Sequence, residues 1–467
     1  MPEIYFPVTN QLKLYTLQKL ERVKGIEPSS QPWEGHILPL NHTRDRFHNR
    51  VVTWASAKSI RHFSGSFLTR QKSQSIVRGM MIAHAGVSWN GSCFGRGLAR
   101  RLGAVIAGFC VVMEGLGGVL SEYPIGIYTA GNTNDLPAIK AAGFNLVTGP
   151  ASKNYLDAAK QLGLRVFASP HTSAGSGFNS TAARAAIRGF DGHPALWAWY
   201  VIDEPDLNMV PPEQVERANR FIKLAGAKKP TAVVMFQGDE ARFFAPIPDV
   251  LMIDRYPIPW MPLAHFGQHV RLAKLSVGPK KPLIAIIQAF DWSYFASLVP
   301  GERDLRPPTR AELRCMTFDA LARGANGLFY YSYESGAWKL RVQTEVWEDL
   351  VAVVSEVNQL KPLFAAESVW WHGLVSNKVQ AKRRNAALEA SVTMTALRVH
   401  KGNAAVPRGL YLLGVNTTDT DQAIEFLSPN KLGMASRVLN ENRELIAEKG
   451  WFQDHFIPFG IHIYGPF

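Results

Sequence analysis

The apolar run Trp199-Tyr200-Val201-Ile202 leads directly into Asp203-Glu204-Pro205. Two adjacent carboxylates at the end of such a run are costly unless they are paired or used. Pro205 disfavours helix at Glu204 and turns the chain there, fixing the carboxylate at the strand end. Other short apolar runs end similarly: at His171, at Gln237, at Asp254 with Tyr256, at Gln288 with Trp292, and at Tyr331 and Tyr333 with Glu334. Carboxylates held across a site from one another can act as general acid and as base or nucleophile. Rings mixed with Asp, Glu, Gln and His suit a carbohydrate, whose CH faces stack on rings while its hydroxyls need donors and acceptors. The candidate catalytic residues are therefore Glu204, Glu334, Asp254 and Asp203. The candidate substrate-binding residues are His171, Trp199, Gln237, Tyr256, Gln288, Trp292, Tyr331 and Tyr333.

These residues need a scaffold that brings many strand ends together. From Pro124 onward, short apolar runs alternate with amphipathic stretches, the pattern of βα units and a parallel sheet. The expected strands are Ile125–Thr129, Asn145–Thr148, Arg165–Ser169, Trp197–Ile202, Ala232–Phe236, Val250–Ile253, Leu283–Ile287 and Gly327–Ser332. Their nearly unbroken apolar character fits strands buried on both faces. Helical periods over Asp135–Ala142, Tyr155–Leu162 and Arg310–Arg323 each end at a glycine suited to a left-handed C-terminal cap. Thr309 is placed to cap the third of these, Pro211-Pro212-Glu213 opens another helix, and Glu345–Leu360 completes the set. Eight such units in about 235 residues have the size of a (β/α)8 TIM barrel, whose catalytic groups sit at the C-terminal strand ends. A doubly wound open sheet is the alternative.

Beyond Lys361-Pro362 the helical signal stops. Ala387–Val399, Gly409–Asn416, Ala423–Leu427 and Phe456–Tyr464 alternate or are β-branched, with turn formers between them. The fold class is thus α/β, a barrel over residues 123–364 followed by a small antiparallel β-sandwich over 365–467.

The 467 residues are 46% hydrophobic and 19% charged, which describes a soluble globular chain. The net charge of +13 is concentrated early: residues 1–122 hold fifteen Lys and Arg against seven Asp and Glu. The remaining +5 is not the footprint of a nucleic-acid binder. Cys93, Cys110 and Cys315 show no CxxC spacing, and no HExxH, GxxxxGK[ST] or GxSxG motif occurs. No cofactor and no metal is therefore expected. Residues 1–79 lack any sustained period and read as a spurious or disordered extension. Residues 80–122 read as an export segment, with Met80 and Met81 as candidate starts. In that segment Arg96, Arg100 and Arg101 precede the apolar run Leu102–Val112, the proportions of a signal peptide near 96–121. A periplasmic or secreted bacterial protein is expected, touching membrane only through this segment.

Two resemblances add to these readings. Leu20–Arg44 resembles the peptide produced when a transfer-RNA gene is translated. The segments His193–Pro205, Asp249–Pro259, Lys281–Phe290 and Gly324–Ser335 resemble a bacterial family of clan-A-type glycoside-hydrolase barrels. The resemblance implies a glycosidase with a carbohydrate substrate, and Glu204 as the acid/base ending strand four. In that clan an Asn usually precedes the acid/base; here Asp203 stands in its place. The nucleophile of the clan is a Glu ending strand seven, whereas the matching residue here is Gln288. Three accounts follow. Glu334 or Asp254 supplies the second carboxylate, the enzyme inverts, or a catalytically silent barrel binds glycans or serves as a scaffold.

Overall fold

The computed structural model describes residues 122–170, 179–371, 375–376, 391–429 and 435–467. The expectations for residues 1–121, for Ala387–Ala390 and for His171 lie outside the described residues. Eight parallel strands form a closed barrel in sequence order. They are β1 (Ile125–Ile127), β2 (Leu146–Thr148), β3 (Arg165–Ala168), β4 (Leu196–Asp203), β5 (Thr231–Met235), β6 (Val250–Asp254), β7 (Leu283–Gln288) and β8 (Gly327–Tyr331). Pairing of Ile125, Gly126 and Ile127 with Leu328, Phe329 and Tyr330 closes the ring, which removes the open-sheet alternative. Every residue of β5, β6, β7 and β8 is buried, as a sheet covered on both sides requires.

A helix follows each strand: α1 (Leu136–Ala141), α2 (Lys153–Gln161), α3 (Ser180–Phe190), α4 (Pro212–Leu224), α5 (Ala241–Phe244), α6 (Leu263–Val277), α7 (Arg310–Ala322) and α8 (Thr344–Gln359). The expected stop signals act as read, with Gly143, Gly163 and Gly324 at φ of 95°, 67° and 90°. At α7, the Thr309 hydroxyl accepts from the Glu312 amide while the Glu312 carboxylate accepts from the Thr309 amide at 2.8 Å. Arg306 grips the same carboxylate through two nitrogens at 2.7 and 2.8 Å.

The chain beyond the short helix α9 (Lys361–Phe364) forms two antiparallel sheets. One has the order β11 (Glu367–Val369), β13 (Val392–Val399), β14 (Gly409–Asn416), β19 (Ile461–Tyr464), β16 (Ala435–Val438) and β17 (Arg443–Ile446). The other joins β12 (Val375–Ser376), β15 (Gln422–Leu427) and β18 (Trp451–Phe456). Leu412 and Tyr464 from the first sheet share one buried cluster with Ile424, Phe426, Phe452 and Phe456 from the second. The expected strand Phe456–Tyr464 is in fact two strands, because Pro458 has no amide to donate and Phe459 turns at positive φ. Helix α7 is the seam: it is buried without a break from Cys315 to Leu321. The Cys315 thiol meets the Asn416 carbonyl at 3.4 Å, and Arg323 donates to Thr393 at 2.8 Å. Among the described residues no helix is long and apolar enough to cross a membrane.

Thr309→Ala removes one half of the reciprocal cap on α7. The expected loss is about 1 kcal/mol of stability, read as a lower denaturant midpoint at unchanged slope.

Candidate functional site

A cavity of about 530 Å³ opens where β1, β2, β3, β4, β6 and β8 end. One wall is aromatic and continuous. Tyr256 stacks on Tyr331 at 5.4 Å, Tyr331 meets Tyr128 at 5.8 Å, Tyr128 meets Tyr200 at 6.5 Å, and Tyr200 meets Phe167 at 4.6 Å. Asp203 and Asp254, at the ends of β4 and β6, also line it, as does Glu334 just after β8. Thr129, Asn132, Thr148 and Ser169 supply smaller polar groups.

Two of these carboxylates rest on phenols. Tyr200 donates its hydroxyl to Asp203, and Tyr256 donates to Asp254 at 2.9 Å. Burial first, and the neighbouring carboxylate second, hold both phenols well above their ordinary range, so they stay protonated donors. Asp254 is only 1% exposed, yet it faces the cavity. Glu334 sits on a short hairpin of β9 (Glu334–Ser335) and β10 (Trp338–Lys339), where Lys339 lies 3.3 Å from its carboxylate.

Glu204 stands differently. Its amide continues the β4–β5 ladder to Val234 at 2.9 Å, and its backbone turns at a φ of 40°. The residue is 2% exposed and is not part of the cavity lining. Its charge nevertheless acts on Tyr256 and on Arg255. Two residues on, Asp206 accepts the amides of Phe236 and Gln237 at 3.1 and 2.6 Å and so ties the end of β5 to the chain after β4. Burial raises the Asp206 carboxyl to about 6, against the pull of those two amides. Arg255 lies 4.1 Å over the Phe236 ring. Burial, Arg255 and His265 lower the His269 imidazole to about 4, so it is neutral and accepts the Gly238 amide at 2.8 Å.

Of the other sequence candidates, Tyr256 and Tyr331 line the cavity and the rest of those described are built into its surroundings. Gln288 is fully buried: its oxygen accepts the Ile258 amide at 2.9 Å, and its nitrogen donates to the carbonyls of Ile258 at 2.9 Å and Phe290 at 3.3 Å. Trp199 points into the helix layer and donates to Asp191 at 2.8 Å. Trp292 packs on Phe290 at 4.8 Å, and Tyr333 packs on Trp347 at 5.9 Å. The Gln237 amide is the group held by Asp206.

Tyr128, Phe167, Tyr200, Thr129 and Asn132 were not anticipated. Strict alternation along β4 would group Trp199 with Asp203, but the pairing with β5 shifts between Tyr200 and Ile202. That irregularity puts Tyr200, not Trp199, beside Asp203. Among the described residues no group of three or more His, Cys, Asp or Glu is arranged to hold a metal ion.

No protein-family model and no curated protein matches the chain. Among solved structures, it is similar to a β-galactosidase from Bacillus circulans sp. alkalophilus, at 8% identity and a TM-score of 0.51 over 73% of this chain and 98% of the other. A GH42 β-galactosidase from G. stearothermophilus gives 9% identity and 0.47 over 73% and 98%. An α-amylase from Geobacillus thermoleovorans, complexed with acarbose, gives 10% identity and 0.48 over 73% and 97%. The likeness to the first is one of fold.

Two measurements check the supports of this site. An ionised Glu at position 288 can accept from Ile258 but cannot donate to either carbonyl. Gln288→Glu should therefore lose roughly 1–3 kcal/mol per orphaned group, seen as a lower Tm. For Asp206, the folded chain keeps a proton that the unfolded chain has already released between the ordinary Asp range and about pH 6. Its contribution is complete below that window and is lost as pH rises through it. Denaturant titrations across the window should show that slope in the parent chain and its absence in Asp206→Asn.

Proposed function

We propose that the chain is an O-glycoside hydrolase that takes an oligo- or polysaccharide into this cavity. One observation carries the reading: a concave, ring-walled site in which carboxylates from β4, β6 and the segment after β8 converge. The shared fold with a β-galactosidase agrees with it. A sugar ring can lay its CH face on Tyr128 and Tyr331 while its hydroxyls bond to the carboxylates, Asn132 and Thr129.

Asp203 and Asp254 are the reacting pair in this proposal. One gives a proton to the leaving oxygen; the other activates a water or attacks the anomeric carbon. Tyr200 and Tyr256 aim the two carboxylates by hydrogen bonding to them. Glu204, whose charge acts on Tyr256 and Arg255, has a supporting electrostatic role in this proposal. This departs from the assignment that the resemblance to clan A implies, where Glu204 would be the acid/base. The amide of Gln288 has a structural task of its own, so the second carboxylate comes from β6 and not from β7. That same amide favours the second reading, a barrel that binds glycans without cleaving them.

A panel of aryl glycosides and oligosaccharides, with Asp203→Asn, Asp254→Asn and Glu204→Gln in parallel, separates these readings. The expected outcome is a drop in kcat on the order of 10²–10⁴-fold in each Asp variant with Tm nearly unchanged, and a smaller drop with a lower Tm in Glu204→Gln. Loss of turnover in Glu204→Gln alone would return the acid/base role to that residue. Glycan binding without turnover in any form would establish the silent barrel.

A further inference from the structure

Hydrolysis uses two carboxylates, and the cavity presents three. The surplus group is Glu334, which differs from the others in its setting. It projects from the β9–β10 hairpin and not from a barrel strand, and its side chain is 45% exposed. Its ion-pair partner Lys339 is 57% exposed at 3.3 Å. A pair this open to water adds little, so an incoming cation can displace it.

The surroundings point to such a cation. Among the described residues, no Lys, Arg or His lines the cavity. Arg255 is turned away over Phe236 and lies among Glu204, Asp206, Asp239 and Asp254, so its charge serves that layer. A neutral sugar that displaced Lys339 would leave the Glu334 carboxylate without a counter-charge. An ammonium group would replace it, and the rings of Tyr128 and Tyr331 line the same cavity.

We infer that Glu334 is a specificity-determining residue that reads a positively charged amino substituent, so that the sugar taken into the cavity is a hexosamine with a free amine. The inference rests on the glycosidase reading above. It adds the substrate class and assigns Glu334 to recognition, leaving the bond-breaking pair as proposed.

The test compares 4-nitrophenyl glycosides of glucosamine and galactosamine, in both anomers, with their N-acetyl forms and with the parent hexosides, using the full chain. Calorimetric binding of free glucosamine and glucose runs beside it. The amino glycoside should be preferred over the parent and N-acetyl forms by at least about tenfold in kcat/KM, with a preference that weakens as salt is raised. Glu334→Gln should collapse that ratio towards one. Lys339→Met, which removes the competing cation, should raise it. If a parent hexoside is turned over at least as well as its amino form, the inference fails while the glycosidase reading stands. A preference that survives Glu334→Gln overturns the assignment to Glu334. Absence of both turnover and binding overturns the glycosidase reading and this inference with it.

Discussion

Closure of the sheet through the β1–β8 ladder is the constraint on which everything else depends. A closed parallel ring sends every strand out on the same side, so eight chain ends converge on one rim. Polar side chains at those ends are then forced into one another's company in a region with little water. Each must find a partner or be stripped of its charge, because an unpaired buried carboxylate is expensive. The phenol on Asp203, the phenol on Asp254 and the two amides on Asp206 are the local answers. These bonds also aim the carboxylates, so the same contacts that make burial tolerable give the site its geometry.

The rim divides into two kinds of position. Along β1, β2, β3, β4, β6 and β8 the ends open into the cavity, whereas β5 and β7 contribute nothing to its lining. At β7 the amide of Gln288 stitches the turn that follows β6, and at β5 the backbone is tied down by Asp206. The site is therefore off-centre, and a strand position that bears a nucleophile in the clan-A resemblance here holds up its neighbour. A neutral amide suits that task, since it can donate and accept at once.

Much of the architecture was legible in the sequence because strands buried on both faces leave a simple trace. All eight barrel strands lie within one or two residues of expectation, and the glycines at 143, 163 and 324 end their helices as read. The site was legible only in part, and the misses share a cause. A strand end says which residues reach the rim, but not which way each side chain points there. Asp203, Asp254, Tyr256, Tyr331 and Glu334 face the cavity; Trp199, Trp292 and Tyr333, chosen by the same rule, face the packing behind it. Tyr128, Phe167 and Tyr200 were missed because lone aromatics in apolar runs look like core, and because the irregularity in β4 breaks the parity that would mark Tyr200. In the last hundred residues, the short strands β16 and β17 carry too few residues for alternation to register.

Helix α7 gives the molecule a property of a different kind. The outer helices of a barrel ordinarily turn a polar side to water. Here α7 has no such side between Cys315 and Leu321, and its sulfur and guanidinium groups are bonded to the antiparallel sheets. The barrel and the sheets thus share a helix as a common wall. A chain shortened after Phe364 would leave this face of α7 open to water, so the barrel and the last hundred residues depend on one another for their packing.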